Sequence, residues 1–338
     1  MIRLSLPLEA RVTDDPTIRA DVFDHLAREF GVSIAGCTPV FLGLYHMKWT
    51  VGTNAGKLFI KCYHPRRYPL DDPERRAPVA RSLGMQQLLH ERTGVCPRVW
   101  TRFGETIHRT PSGHFYVVMQ HADGRPPRPG AFGAAVMRRL GKAAGAMHTA
   151  LDAVPAEGAR WMPSKDAMRD KWQTNLEHAK TQAMPNERAI RAIERQGAIM
   201  AELDWTSFEA LEPGWAHWDL WADNILVGDD GAVQLVDFDT VRVGYPEVDI
   251  ARALLSGALQ ADKLDEEAVA AFLKGYREER AFPLGRLPLA LRLLWCREAH
   301  WWLKADMDES SHPPKRFAEE MIWLTERWGQ LDALTGAF

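Results

Sequence analysis

Two short stretches carry residue types able to do chemistry together. Residues 217–224 read HWDLWADN and residues 234–240 read QLVDFDT. Between them, ILV (225–227) and VQLV (233–236) are apolar β-type runs joined by GDDG, a strong hairpin signal. Such a hairpin carries Asn224 at one end and Asp237 at the other. An amide oxygen and a carboxylate that converge in this way make a hard-oxygen site suited to Mg²⁺. Asp219, five positions before Asn224, is then free to accept a proton beside the cation. A base next to a metal fits phosphoryl transfer, where positioning and charge neutralisation carry most of the catalysis. A lone Asp-x-Asp is usually a cap or a turn, and a lone His-x-Asp carries no information. The argument rests on both motifs occurring in order with a hairpin between them.

That spacing, His-x-Asp-x-x-x-x-Asn followed by Asp-Phe-x at a strand end, resembles the signature set of kinase-fold phosphotransferases. The form HWDLWADNILV with LVDFDTVRVGYPEVDIARAL resembles the aminoglycoside phosphotransferase and choline kinase family. The resemblance covers roughly residues 40–255 and is dense over 215–252. It implies an α+β, bilobal protein-kinase-like fold. The N-lobe is an antiparallel sheet with a helix, and the C-lobe is mainly helical with a short catalytic hairpin. It also implies ATP and Mg²⁺ as cofactors. Asp219 is then the base that takes the acceptor hydroxyl proton, Asn224 and Asp237 are the metal ligands, and His217 braces the loop. Asp249, in GYPEVDIA, is structural at a helix start. The third letter of the metal triplet departs from the kinase pattern, being Asp239 in place of glycine.

A kinase-fold N-lobe also needs a phosphate-covering loop and a strand lysine. LFIKC (58–62) places Lys61 between apolar residues on a predicted strand, where a charge is costly unless paired. The alternative is an edge-strand lysine facing water. The resemblance assigns Lys61 to the ATP phosphates and Gly43, the one glycine of FLGLYHMKWTV, to the covering loop. The helix that should supply the partner acid, APVARSLGMQQLLHERTG, has no glutamate near its middle. Glu91 falls late in it and Glu74 precedes it. YVVMQHADG (116–124) resembles the family's hinge, with Met119 and His121 as adenine-binding positions.

The elements that must hold these residues follow from periodicity. Helical spacing marks 16–30, 76–93, 133–151, 164–182, 185–202, 247–260, 264–279, 287–305 and 314–335. Strand signals fall at 39–51, 58–63, VCPRVW (95–100) and HFYVVMQ (114–120). HADGRPPRPGAFG, rich in Pro and Gly, is the expected boundary. It divides a nucleotide-binding N-lobe at 1–120 from a catalytic and acceptor-binding C-lobe at 121–338.

Composition narrows the class. With 338 residues, 46% hydrophobic and 26% charged, the chain reads as an ordinary globular protein. A net charge of −3 with scattered basic residues argues against nucleic acid. No apolar run approaches the roughly 20 residues of a membrane span. The four cysteines, Cys37, Cys62, Cys96 and Cys296, show no metal-ligand spacing. MIRLSLPLEARVTDDP lacks the apolar core of a signal peptide, so the expected location is the cytoplasm. Pro246-Glu247 follows the triplet too closely for a protein-kinase activation segment, so the acceptor is expected to be a small molecule. Acidic residues and tryptophans near the C-terminus rank an aminoglycoside or amino sugar first, with Trp218, Glu298 and Asp306 as acceptor-binding candidates. The alternative is a non-catalytic kinase-fold structural protein, such as a spore-coat component. A metal-dependent hydrolase using the same acids is a third, remote reading.

Overall fold

Helix α1 (Pro16–Phe30) starts at Asp15, whose carboxylate accepts the amides of Thr17 and Ile18, and stops at Gly31 in the left-handed region (φ 63). It lies against an antiparallel sheet made of β1 (Ile34–Pro39), β2 (Met47–Thr53), β3 (Gly56–Cys62), β4 (His108–Arg109) and β5 (Phe115–Gln120). The spatial order is β1-β2-β3-β5-β4. The period of two along the strands divides the sheet's faces. Trp49, Val51, Leu58, Ile60, Tyr116 and Val118 pack with Val22 and Leu26 of α1. Tyr63, Val117 and Met119 pack instead with Val79 and Leu83 of α2 (Pro73–Thr93). Lys61 alternates with Ile60 and Cys62 and so shares the α2 face.

The computed structural model describes residues 14–41, 46–156, 161–310 and 313–338. Packing divides it into two units. One runs to Arg125 and takes in Leu226–Val241; the other comprises Pro126–Ile225 and Arg242–Phe338. The first unit thus includes the end of β7 (Ile225–Val227) and all of β8 (Val233–Leu235), the hairpin expected from GDDG. That hairpin is tied to the rest of its unit by backbone bonds between Arg125 and Val227 and by the Leu235 amide donating to Val95 O. Gly124 (φ 122) has no room for a side chain, because a Cβ there would lie 2.8 Å from the Val227 carbonyl carbon.

The second unit is mainly helical, with α3 (Gly133–Leu151), α4 (Lys165–Thr181), α5 (Glu187–Glu202), α6 (Pro246–Ala258), α7 (Glu266–Arg277), α8 (Leu287–Trp302), α9 (Pro314–Glu326) and α10 (Leu331–Thr335). Its small sheet pairs β6 (Gly214–Ala216) with β9 (Arg242–Gly244). Nearly every side chain of α6 is buried, so this helix is the unit's centre.

Three elements differ from the sequence reading. VCPRVW is not a strand; it makes a single bridge, Val99 to Met119, and Pro97 has no amide for a ladder. Strand β1 lies in GVSIAGCTP, whose glycines and proline mask a strand signal. The run 314–335 is broken after Glu326 by a short 3₁₀ turn. Among the described residues no helix is long and apolar enough to cross a membrane.

Candidate active site

In the first unit the site is built around Lys61. Its side chain is only 3% exposed, and the ammonium lies 2.6 Å from Asp237 Oδ1 and 2.7 Å from Asp239 Oδ2. Burial alone would draw the Lys61 pKa down, but the two carboxylates outweigh it and hold the ammonium charged, well above the ordinary lysine range. On Asp237 burial acts in the opposite direction, upward, yet Lys61 and then Lys48 bring it below the ordinary carboxylate range. Asp237 adopts the left-handed region (φ 66, ψ 60), uncommon for a residue with a side chain, and this turns its carboxylate back toward the β3 lysine. Phe238, next in the triplet, is fully buried and anchors the turn.

Asp239 is the residue sequence reasoning missed. Both its oxygens are engaged, Oδ2 by Lys61 and Oδ1 by the Tyr63 hydroxyl at 3.1 Å. The available signal was an acid in the triplet's third place combined with a helix lacking its glutamate. Ser82 of α2 meets this segment, its hydroxyl donating to Val241 O at 2.8 Å. His46 packs edge-on against Tyr63 and Tyr68 and accepts the His64 amide through Nδ1. Burial, with Lys61 and Lys48 nearby, keeps its pKa well below the usual histidine value, so it is neutral at pH 7.

Met119 and His121 lie at the end of β5. Met119 is buried, and its sulfur accepts from Gln86 Nε2 at 3.6 Å. The His121 amide donates to Lys57 O, and its ring faces Asp123 at 3.3 Å. Gly43 lies outside the described residues.

In the second unit the loop from β6 to β7 carries Asp219 and Asn224. Asn224 Nδ2 donates to both Asp219 O (2.7 Å) and Asp219 Oδ2 (3.0 Å). That uses both amide hydrogens and leaves Oδ1 as Asn224's lone-pair donor. The loop is fixed from below by Asp249, fully buried in the first turn of α6. Its carboxylate accepts the amides of His217 (2.5 Å) and Trp218 (2.8 Å). It also meets His148 Nε2 at 3.0 Å, and His148 Nδ1 meets the Tyr276 hydroxyl at 2.8 Å. The His148 ring thus bridges Asp249 and the Tyr276 hydroxyl. Trp218 takes a positive φ of 69 between these two anchors.

The three acceptor candidates differ in surroundings. Trp218 is buried; its ring lies between the guanidiniums of Arg242 (4.4 Å) and Arg297 (4.2 Å), with Trp161 edge-on. Its indole fills the space a Cβ on Gly244 would need. Glu298 accepts from Arg252 Nη1 (2.8 Å) and Trp302 Nε1 (3.0 Å). Asp306 is exposed and pairs with Lys304 at 3.2 Å. Trp221 packs edge-on against Phe317.

Each unit carries an oxygen donor of the kind a hard divalent cation takes. Asp237 gives one oxygen to Lys61, and the other takes no hydrogen bond among the described residues. Asn224 keeps an amide oxygen in the same way. Among the described residues no three His, Cys, Asp or Glu form a closed metal cage. The carboxylate oxygen of the first unit and the amide oxygen of the second are each donors of the hard kind that Mg²⁺ takes.

Comparison with curated proteins finds none that matches. Solved structures do match in fold. The microcompartment-associated aminopropanol kinase shares 16% identity, with 94% of this chain and 99% of that chain covered, at a TM-score of 0.64. Choline kinase from Cryptosporidium parvum Iowa II shares 12% identity, with 94% and 98% covered, at 0.59. The amicoumacin kinase hAmiN, in complex with AMP-PNP, Ca²⁺ and Ami, shares 16% identity, with 93% and 96% covered, at 0.57. These likenesses establish a kinase-like fold. The model of the phosphotransferase enzyme family matches residues 40–285, most of the chain and both sets of residues described above. The chain therefore belongs to the phosphotransferase enzyme family.

Proposed function

We propose that the chain moves the γ-phosphate of ATP, with Mg²⁺, to a hydroxyl of a small polar molecule. The observation that carries this reading is the Lys61–Asp237 ion pair. A lysine 3% exposed on a central strand is costly to keep, and a packed hydrophobe would serve the sheet as well. Lys61 holds phosphate oxygens of the nucleotide. Asp219 accepts the proton of the acceptor hydroxyl, and the Asn224 amide fixes the orientation of its carboxylate. Asp237 and Asn224 hold the divalent cation, which, when bound, neutralises charge on the phosphate oxygens. Met119 and His121 flank the adenine, and Gly43 belongs to the loop over the phosphates.

Aminoglycosides and amino sugars head the acceptor panel because of the acids and tryptophans near the C-terminus, with Trp218, Glu298 and Asp306 as contacts. Glu298 is matched by Arg252 and Asp306 by Lys304, so neither brings an unmatched negative charge to an amine. Neutral sugars and amino alcohols therefore belong in the same panel. The neighbours named for amicoumacin, aminopropanol and choline differ widely in acceptor, which is the reason for that breadth. The missing helix glutamate, the main ground for a non-catalytic protein, loses its weight because Asp239 supplies Lys61 with an acid.

The test is ADP release with ATP and Mg²⁺ across the panel, beside Asp219→Ala. Acceptor-dependent release is expected, falling about 10²–10⁴-fold in the variant while nucleotide affinity is kept. Release that no acceptor stimulates, or that Asp219→Ala leaves unchanged, overturns the reading.

A further inference from the structure

We infer that Asp239, oriented by Tyr63, is the positioning acid of Lys61, so that the phosphate-binding lysine is fixed by the metal-binding turn itself and not by helix α2. The inference rests on the phosphotransferase reading and adds to it a role for the residue that stands where the protein-kinase triplet has glycine.

Lys61 touches two acids in different settings. The Asp237 side chain is 36% exposed and uses one oxygen on the lysine. The Asp239 side chain is 3% exposed and uses both, one on Lys61 and one on the Tyr63 hydroxyl. Lys61 and Tyr63 are two apart on one chain and project from the same face. The carboxylate is therefore clamped by a single stretch of backbone, and a buried acid held at both oxygens has little freedom to leave. Asp237, half-open and singly bonded, is the one able to turn to a cation.

Helix α2 offers no competitor. Its buried face carries Val79, Ser82, Leu83, Gln86 and Leu89. Gln86 donates to Pro97 O at 2.8 Å, and Glu91 accepts from Gln87. Ser82, where this face meets the segment after the triplet, donates to the Val241 carbonyl and carries no charge. The two acids thus divide the work. Asp237 is available to the cation, while Asp239 keeps the ammonium in register when Asp237 is drawn away. A glycine in position 239, as in protein kinases, would leave Lys61 competing with the cation for one carboxylate.

The experiment measures ADP affinity in EDTA and in Mg²⁺, with KM for ATP and for the acceptor, in the full-length protein and its Asp239→Asn, Asp239→Glu, Asp237→Asn and Tyr63→Phe variants. Asp239→Asn is expected to weaken ADP binding about tenfold or more in both media, leaving the acceptor KM unchanged. Asp239→Glu is expected to recover most of the loss. Asp237→Asn is expected to keep the EDTA affinity and lose only the gain that Mg²⁺ brings. A folded Asp239→Asn protein that binds ADP in EDTA as the wild type does overturns the inference. Should that variant not fold, Tyr63→Phe decides: about threefold weaker ADP binding supports the clamp, and unchanged binding removes it. Wild-type protein that binds no nucleotide overturns both this inference and the phosphotransferase reading. Wild-type binding with an indifferent Asp239 overturns the inference alone.

Discussion

Single residues in this chain act through what holds them. Asp219 is positioned by an amide, and the loop behind it by Asp249, whose buried carboxylate accepts two backbone amides and meets His148. Asp249→Ala removes the carboxylate that those amides donate to and leaves the imidazole with Tyr276 alone. It is expected to cost about 3 kcal/mol of folding stability in urea denaturation, with acceptor turnover lost and Asp249→Asn intermediate. The spacing that nominates Asp219, Asn224 and Asp237 is readable in the sequence because it is local and repeats a known pattern. The Lys61–Asp239 pair is not, since it joins positions 178 apart and neither residue signals the other. Titration gives a second residue-scale prediction. Burial, and then Lys171, push His300 down to about 4. The native state thus keeps the ring neutral at pH values where an unfolded histidine, near 6.5, takes a proton. Stability from this site is complete above about 6.5 and falls as pH drops toward 4. Between pH 7 and pH 5 the loss is about 1–2 kcal/mol after allowing for the ring's partial exposure. His300→Phe should flatten that part of the pH profile of urea midpoints, and an unchanged profile would refute the assignment.

Elements show where patterning suffices and where it fails. The helices were readable from their 3.6-residue spacing, α1, α3 and α8 starting at the residues expected. The failures lie where a strand is short or rich in Gly and Pro, as in β1 and at Val99, because pairing there is decided by partners distant in sequence. Sequence periodicity also gives no warning of how closely two helices approach. Helices α3 and α7 meet through glycine: a Cβ on Gly141 would lie 1.9 Å from Phe272 O, and one on Gly275 would lie 2.0 Å from Arg138 O. Both obstacles are backbone and cannot swing aside. Gly141→Ala is therefore expected to destabilise by about 3 kcal/mol or more. Gly84→Ala, in α2 with nothing within 4 Å of the added carbon, should stabilise by about 0.5–1 kcal/mol. Thermal unfolding of the two variants should move in opposite directions.

At the scale of the whole molecule, the fold is shared with kinases at 12–16% identity, so architecture alone does not name the acceptor. What it does fix is the unit in which each proposed residue lies. Lys61 and Asp237 belong to the first unit, and Asp219 and Asn224 to the second. The proposed reaction therefore requires residues of both units to act on the same substrates, and ligand linkage can test this without knowing the acceptor. A ligand that binds only the native state stabilises it by about 2.7 kcal/mol at one hundred times its dissociation constant. ADP with Mg²⁺ should accordingly raise the unfolding midpoint of the wild type by several degrees. At a fixed ligand concentration the rise should shrink in Lys61→Met, which alters the first unit, and equally clearly in Asn224→Ala, which alters the second. A rise that Asn224→Ala leaves intact while Lys61→Met abolishes it would put the nucleotide and its cation on the first unit alone. Asn224 would then lose its assignment as a metal ligand, and the second unit's part in catalysis would reduce to the base and the acceptor.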